Sequence, residues 1–423
     1  FRTFTLDGHC LRSAPMLLAF DSGNTAWVLI SAALVLFMTP GLAFFYGGMV
    51  RSKNVLGMLM QNVFAIGLVS TIWAIVGFSL VFGASGNGWI GNFDFLFLAD
   101  VTNLDGDIPG MAFVAFQMMF AVITPALITG ATADRLKFGS YAVLIGFWSL
   151  LVYIPGAKWV FNGWLLEMGA LDFAGGTAIH ISAGVAGLAV ILVIGNRKGH
   201  GDVPMPPHNL PLTVLGTGIL WFGWFGFNAG SGLAADGLAA QALVNTHLAA
   251  STGMLGWLLV ERWKGGHATV LGACSGAVAG LVAITPCAGF VGGASPLIIG
   301  FVAGALCFLA LTIKEKMNWD DSLDVIAVHL IGGIVGTLLL GLFADAAVNP
   351  VIAENSSEGL FFGGSLELLK DQFVAALVVG VFSFVVTYAI AKTIDATMGL
   401  RVGEDAEYQG LDQSQHAESE YTS

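Results

Sequence analysis

Two stretches of the 423-residue chain carry the same spacing of residues that could handle a proton. Asp172, His180, Gly184 and Gly187 in one, and Asp321, His329, Gly333 and Gly336 in the other, both read D-x7-H-x3-G-x2-G at one constant offset. Aspartate is a strong helix N-cap. Each His would then sit deep in its helix, about 12 Å along the axis at about 1.5 Å per residue. Neutral imidazoles offer a donor and an acceptor each, and a facing pair can pass a proton between its members. A weaker echo, Ile-Thr-Pro, stands at 123–125 and again at 284–286.

Composition sets the kind of element that must hold these residues. The chain is 56% hydrophobic and 10% charged, with a mean hydropathy of +0.81, whereas soluble domains carry about 25% charged residues. With 16 Lys and Arg and 28 Asp and Glu, it cannot cover a water-facing surface of this size. A cytosolic enzyme, a secreted disulfide scaffold and a disordered chain are excluded, and an integral membrane protein is expected. The net charge of −12 argues against nucleic acid as a partner. Cys10, Cys274, Cys287 and Cys307 have no CxxC spacing, so no disulfide framework or zinc site is expected. No metal and no cofactor is assigned. The 57 glycines suit membrane helices whose backbones approach closely. Residues 1–24 lack a continuous apolar core with a small-residue cleavage site, so no signal peptide is read there.

About 20 apolar residues cross roughly 30 Å of hydrocarbon. Suitable runs lie near 25–50, 56–82, 109–133, 139–158, 176–195, 209–229, 238–260, 268–286, 293–313, 323–346 and 369–397. Eleven spans put the termini on opposite sides. Arg51, Lys53, Arg135, Lys137, Arg197, Lys198, Arg262, Lys264, Lys314, Lys316, Lys392 and Arg401 fall on one side, against Arg2, Arg12, Lys158 and Lys370 on the other. The positive-inside rule then sets the N-terminus outside and the C-terminus in the cytoplasm.

The two Asp–His segments therefore start from opposite faces, as an inverted repeat requires. The expected fold is an all-α polytopic membrane protein of eleven transmembrane helices, two inverted five-helix repeats (about 25–195 and 209–346) plus one extra helix (369–397). Residues 1–24 form an extracytoplasmic segment, 25–397 the transmembrane domain and 398–423 a cytoplasmic tail. Such repeats place their sites near the midplane, where a pseudo-two-fold axis would bring His180 and His329 together. An ionisable residue at that depth is costly and marks function by default; two packing histidines bonded to carbonyls are the bland alternative. Three functions suit a buried pair: a transport path, a bis-His haem protein and an intramembrane enzyme. No Ser-His-Asp order, HExxH or GxSxG stands in a suitable place for the last, so no catalytic residue is assigned.

Several motifs go further. Leu34-Val-Leu-Phe-Met-Thr-Pro-Gly-Leu-Ala-Phe-Phe-Tyr-Gly-Gly48, Asp172-Phe-Ala-Gly-Gly176, Trp224-Phe-Gly-Phe-Asn-Ala-Gly-Ser231 and Leu271-Gly-Ala-Cys-Ser-Gly276 span the chain, with Pro206-Pro-His-Asn-Leu-Pro211 and Gly399-Leu-Arg-Val402. In these the sequence resembles the ammonium transporter (Amt/Mep/Rh) family, on its Amt branch. The resemblance implies a homotrimer in the cell membrane's lipid bilayer with one pore per subunit. Each subunit would recruit ammonium at an outer vestibule, deprotonate it and conduct ammonia, with proton co-transfer; methylammonium is the analogue to test. An ammonium sensor and a neutral ammonia channel are the alternatives within the family. His180 and His329 match the pore histidine pair, Asp172 the outer carboxylate, Phe120 and Phe227 the stacked gate, and Ser231 the ammonium-bonding serine. Phe161 stands where the family usually has Trp, and Trp159 is the alternative aromatic. A Phe face attracts cations less well than Trp, which predicts a weaker outer site.

The physics of the substrate agrees. A bare ammonium costs tens of kcal/mol to desolvate by Born arguments, so an apolar pore should pass ammonia and reject potassium, which has no proton to give up. Asp321 and Asp324 read as capping residues, and His208, His247 and His267 as residues near loops or span ends. The tail from 398 is the most polar stretch, with Leu400, Arg401, Val402, Tyr408 and Leu411 as docking residues. It resembles the tail through which Amt proteins engage PII-type signalling proteins.

Overall fold

The computed structural model describes residues 20–104 and 106–420. The N-terminal segment read at 1–24 therefore lies largely outside the described residues, with Arg2, Cys10 and Arg12. Ten helices among the described residues are long and apolar enough to cross a membrane. They are α1 (Ser22–Met49), α2 (Ser52–Phe82), α3 (Gly110–Thr132), α4 (Phe138–Glu167), α5 (Gly176–Ile194), α6 (Leu210–Gly230), α7 (Gly237–Gly265), α9 (Ser295–Lys316), α10 (Ile326–Phe343) and α11 (Glu367–Met398). Between α7 and α9 lies α8, Val270–Ile284, an apolar helix of 15 residues. The run at 268–286 thus forms a helix shorter than a full span. Thr285 and Pro286 follow its end, and the chain turns from Thr285 to Gly289 through backbone bonds such as Cys287 N to Ile284 O.

The helices start where the sequence supplies caps. Asp21 accepts from Asn24 N at 2.7 Å, Asn209 from Leu212 N at 3.0 Å, Asp236 from Ala239 N at 3.0 Å and Thr269 from Gly272 N at 2.8 Å. Each bond satisfies a donor that a helix start leaves open. Once inside, the helices bury their polar backbone within themselves, the condition for crossing hydrocarbon. Glycine sets how closely they pack: a Cβ on Gly253 of α7 would lie 2.7 Å from Gly280 Cα of α8, so only glycine admits that crossing.

Among the described residues there is no strand; one isolated antiparallel bridge joins Leu136 to Arg401. α1 packs along α6, α7 against α8 and α9, and α5 against α11. α5 ends and α10 begins at one face, since Arg135 bonds both Gly195 O and Asp320 O there. The chain's tail lies on that face, which is called the tail face below. His247 is displaced from its expected place near a span end: it lies midway along α7, exposed, with its ring against Trp221.

Candidate functional site

Asp172 organises the face opposite the tail. Its Oδ1 accepts from Gly175 N at 2.7 Å and Gly176 N at 2.8 Å, and its Oδ2 from Thr177 N at 2.8 Å and Ala178 N at 3.2 Å. Gly175 stands at φ +107, a left-handed turn where a side chain would be strained. Burial pushes the carboxyl above its usual range, while the four N–H donors pull the other way. With four donors aimed at its two oxygens, the geometry fits the ionised form.

The turn that Asp172 caps is π-helical over Gly176–Ile181, and a matching π-helical turn covers Ile326–Ile331 on α10. Such turns re-aim side chains and recur at functional sites. One turn carries His180 and the other His329. Gly184 lets the two helices meet, since a Cβ there would lie 2.8 Å from Leu330 Cα. The imidazoles lie nearly parallel, 15° apart, with Nδ1 to Nδ1 at 3.2 Å and both side chains buried.

That contact needs one donor and one acceptor, and the neighbours decide which is which. Tyr46 Oη donates to Leu127 O at 3.3 Å, so its lone pairs face His329 Nε2, 3.5 Å away. His329 is then protonated on Nε2 and accepts at Nδ1. His180 donates from Nδ1, which leaves its Nε2 unprotonated. Among the described residues that buried atom has no partner, and His180 lines a cavity with His329, Ile123, Ile179, Leu220 and Val278. The cavity is apolar apart from the imidazoles, and its volume open to a water-sized molecule is about 10 Å³.

Aromatic rings lie beside it. Phe120 on α3 and Phe227 on α6 lie 4.3 Å apart between centroids, tilted by 34°. Trp224 stacks on His180 at 5.5 Å and is held by donating to Thr285 Oγ1 at 2.9 Å. Ser231, half-buried one turn beyond Phe227, donates to Phe227 O at 2.8 Å, so its lone pairs remain as acceptors. Phe161 is half-buried against the core near the end of α4. Trp159 is committed elsewhere: it donates to Trp89 O at 2.8 Å and packs on Phe382 at 4.5 Å.

The ammonium transporter family model matches residues 26–421. The chain belongs to that family. An ammonium transporter of Mycobacterium tuberculosis is 48% identical over 95% of this chain and 90% of its own. The crystal structure of Candida albicans Mep2 superposes with a TM-score of 0.88 at 35% identity, covering 95% and 93% of the two chains. A protein titled Sensor Amt Protein superposes at 0.87 with 29% identity over 93% and 98%. The chain is accordingly a multi-pass cell-membrane protein of a transporter family.

On this family member's tail face, acids and bases form one network. Asp134 accepts from Arg51 Nε at 2.8 Å and Asn54 Nδ2 at 2.6 Å. Arg197 grips Asp320 at 2.8 Å, and buried Arg135 donates to Ser322 Oγ at 2.7 Å. Burial lowers the Arg135 guanidinium to about 10, which leaves it charged at neutral pH. Asp321 accepts from Val325 N at 3.1 Å and Ile326 N at 2.7 Å, a cap as read from the sequence.

The tail packs onto this network. Val402 N bonds Arg135 O at 3.0 Å, Arg401 pairs with Glu407 at 2.7 Å, and Leu411 N bonds Asn54 Oδ1 at 2.8 Å. Leu400, Val402 and Leu411 are buried, but Tyr408 is 71% exposed and does not dock through its ring. Its backbone O accepts from Lys53 Nζ; the short helix Glu404–Gln409 turns the side chain to solvent. Sequence reasoning missed Tyr46 and Trp224 as partners of the histidines, although both lie in the quoted family stretches.

Proposed function

We propose that the protein carries ammonium into the cell by deprotonating it on the outer side and passing ammonia through the histidine-lined cavity. The single observation behind this reading is the buried, hydrogen-bonded His180–His329 pair lining a small apolar cavity, with the Phe120–Phe227 ring pair beside it. In this reading the tail face is cytoplasmic, eleven helices cross the membrane with α8 completing the set, and the two Asp–His halves form an inverted repeat. Ammonium meets Ser231 lone pairs and the faces of Phe161, Phe120 and Phe227, contacts suited to a cation with N–H donors. Asp172 adds negative charge at that mouth. The unprotonated Nε2 of His180 is the acceptor that an entering N–H group would find first, and the Nδ1 contact offers the proton a path onward to His329.

The geometry does not suit the haem alternative. The two Nδ1 atoms, 3.2 Å apart, touch more closely than two metal–nitrogen bonds of about 2 Å placed end to end. A homotrimer is supported by His247, whose exposed ring midway along α7 would be costly against lipid.

Purified protein in liposomes tests the reading. An inward current should follow an ammonium gradient and be absent with potassium. Ammonia flux without current would point instead to a neutral channel, and neither would overturn transport altogether. The similarity to Sensor Amt Protein favours a second reading, an ammonium sensor that signals through its packed tail. Recovery of a cognate PII-type protein with the full chain, but not with a chain ending at 397, would support a signalling role for the tail.

A further inference from the structure

Gln372 is fully buried near the start of α11, the helix outside the paired halves. Its carboxamide bonds only to backbone. Oε1 accepts from Leu171 N at 2.7 Å, and Nε2 donates to Leu171 O at 2.8 Å and to Thr337 O at 3.2 Å. Leu171 immediately precedes Asp172, the cap of the His180 helix. Thr337 lies about two turns beyond His329 on α10. One side chain thus ties the cap of one histidine helix to the backbone of the other. The hydroxyls of Thr177 and Thr337, 3.1 Å apart, join the same two helices beside it.

We propose that Gln372 is a positioning residue for the histidine pair: it fixes the height of α5 against α10 and so holds the Nδ1 contact. A helix transmits an axial slip along its length, because its close-packed neighbours leave little slack. A hydrogen bond near 3.2 Å is already at the long end of the useful range, so a slip of a few tenths of an ångström would open it. A proton path through His180 and His329 therefore depends on a clamp at the start of α5, and Gln372 supplies it with three bonds.

The clamp's lack of charge has a purpose of its own. At the tail face, the equivalent Asp321 has its backbone O held at 2.9 Å by Lys314 Nζ, a cation that also pairs with Asp324. At the opposite face, among the described residues, no cationic side chain pairs with Asp172. The amide holds the Leu171 backbone and brings no cation to that buried carboxylate, whose charge is met by backbone N–H groups.

This inference rests on the transport reading, and the test separates the two. Gln372→Met keeps the side chain's length and removes its three bonds. Ammonium current is measured in liposomes per molecule of folded, monodisperse protein, beside the unaltered chain. Phe120, Phe227 and Ser231 belong to elements Gln372 does not touch, so the half-saturating ammonium concentration should stay within about twofold. Turnover should fall roughly fivefold or more, since small misplacements of reacting groups are costly. Hydrogen exchange should quicken at the 171–178 amides and stay unchanged in α6. Normal turnover in folded Gln372→Met would overturn the proposal, as would an effect confined to half-saturation. If that variant does not fold, Gln372→Glu, which keeps the acceptor for Leu171 N and gives up both donors, takes its place: reduced turnover supports the clamp, and normal turnover overturns it. Absence of current from the unaltered chain would count against the transport reading.

Discussion

His180 and His329 hydrogen-bond to each other through their Nδ1 atoms at 3.2 Å, and among the described residues only the His329 ring has a further polar partner, Tyr46. The pair is therefore chemically unequal although the sequence pattern that supplies it is repeated. With the Tyr46 proton on Leu127 O, the tautomers are ordered so that the ring nitrogen left without a proton is His180 Nε2, which has no partner among the described residues. A repeated motif provides the geometry, and one unrepeated tyrosine gives it a direction.

If the proton crosses along this pair, replacing both histidines by Leu removes every titratable group from the cavity wall. Electrogenic ammonium transport should fall by roughly a hundredfold or more, the lower end of what a positioned acid–base group contributes. Folding should survive, because a buried polar pair exchanged for apolar groups of similar size is often near neutral. Size-exclusion profiles and current per molecule read the two effects separately. A well-folded double variant with full current and potassium still excluded would rule out the relay.

Phe161 gives a second expectation. Trp159 donates to Trp89 O and packs on Phe382, and the proposed reading takes Phe161 as the vestibule aromatic. Phe161→Trp should lower the half-saturating ammonium concentration by less than about tenfold, because a cation–π contact contributes about 0.5–2 kcal/mol. No change there, with a large one from Trp159→Phe, would mean that Trp159 is the aromatic that matters.

Helix positions were legible because each span is a long apolar run, and the ends of α5, α6 and α10 fall within a few residues of the runs that predict them. The histidine pair was legible through its spacing. Gln372, Tyr46 and Trp224 were not, for a common reason: each is a lone residue whose partners lie on other helices far along the chain, and such a contact leaves no period to read. Tyr408 misled because an aromatic in a polar tail looks like an anchor, whereas the tail docks through Leu400, Val402, Leu411 and backbone bonds.

Orientation has a direct check. Asp202 lies in the loop between α5 and α6, and Glu354 in the segment between α10 and α11; both are exposed. In a Cys10→Ser background, Asp202→Cys should react only with reagents applied from the cytoplasm and Glu354→Cys only from outside. Cys274, Cys287 and Cys307 are buried and should stay silent. Labelling of both introduced cysteines from the same side would contradict an inverted arrangement of the halves.

Acid should loosen the tail face, and Asp320 shows why. Burial alone would raise its carboxyl, but the hydrogen bonds from Arg197 and the charges of Arg135 and Arg197 outweigh that and hold it at about 2. An unfolded aspartate titrates near about 3.9. The folded value is the lower one, so this carboxylate's contribution is fully present above about pH 4 and is lost as pH falls toward about 2, a total of about 2 kcal/mol. Asp320→Asn removes the charge and leaves Arg197 and Arg135 without their shared partner, so the variant should melt at a lower temperature than the unaltered protein at pH 6. The difference should shrink as both are taken below about pH 3, where the natural carboxylate is being protonated as well. Because Arg135 also bonds Val402 N through its backbone O, protease cleavage in the tail should quicken in the variant at pH 6. A melting difference that stays constant from pH 6 down to about pH 2 would show that the network does not depend on this ionisation.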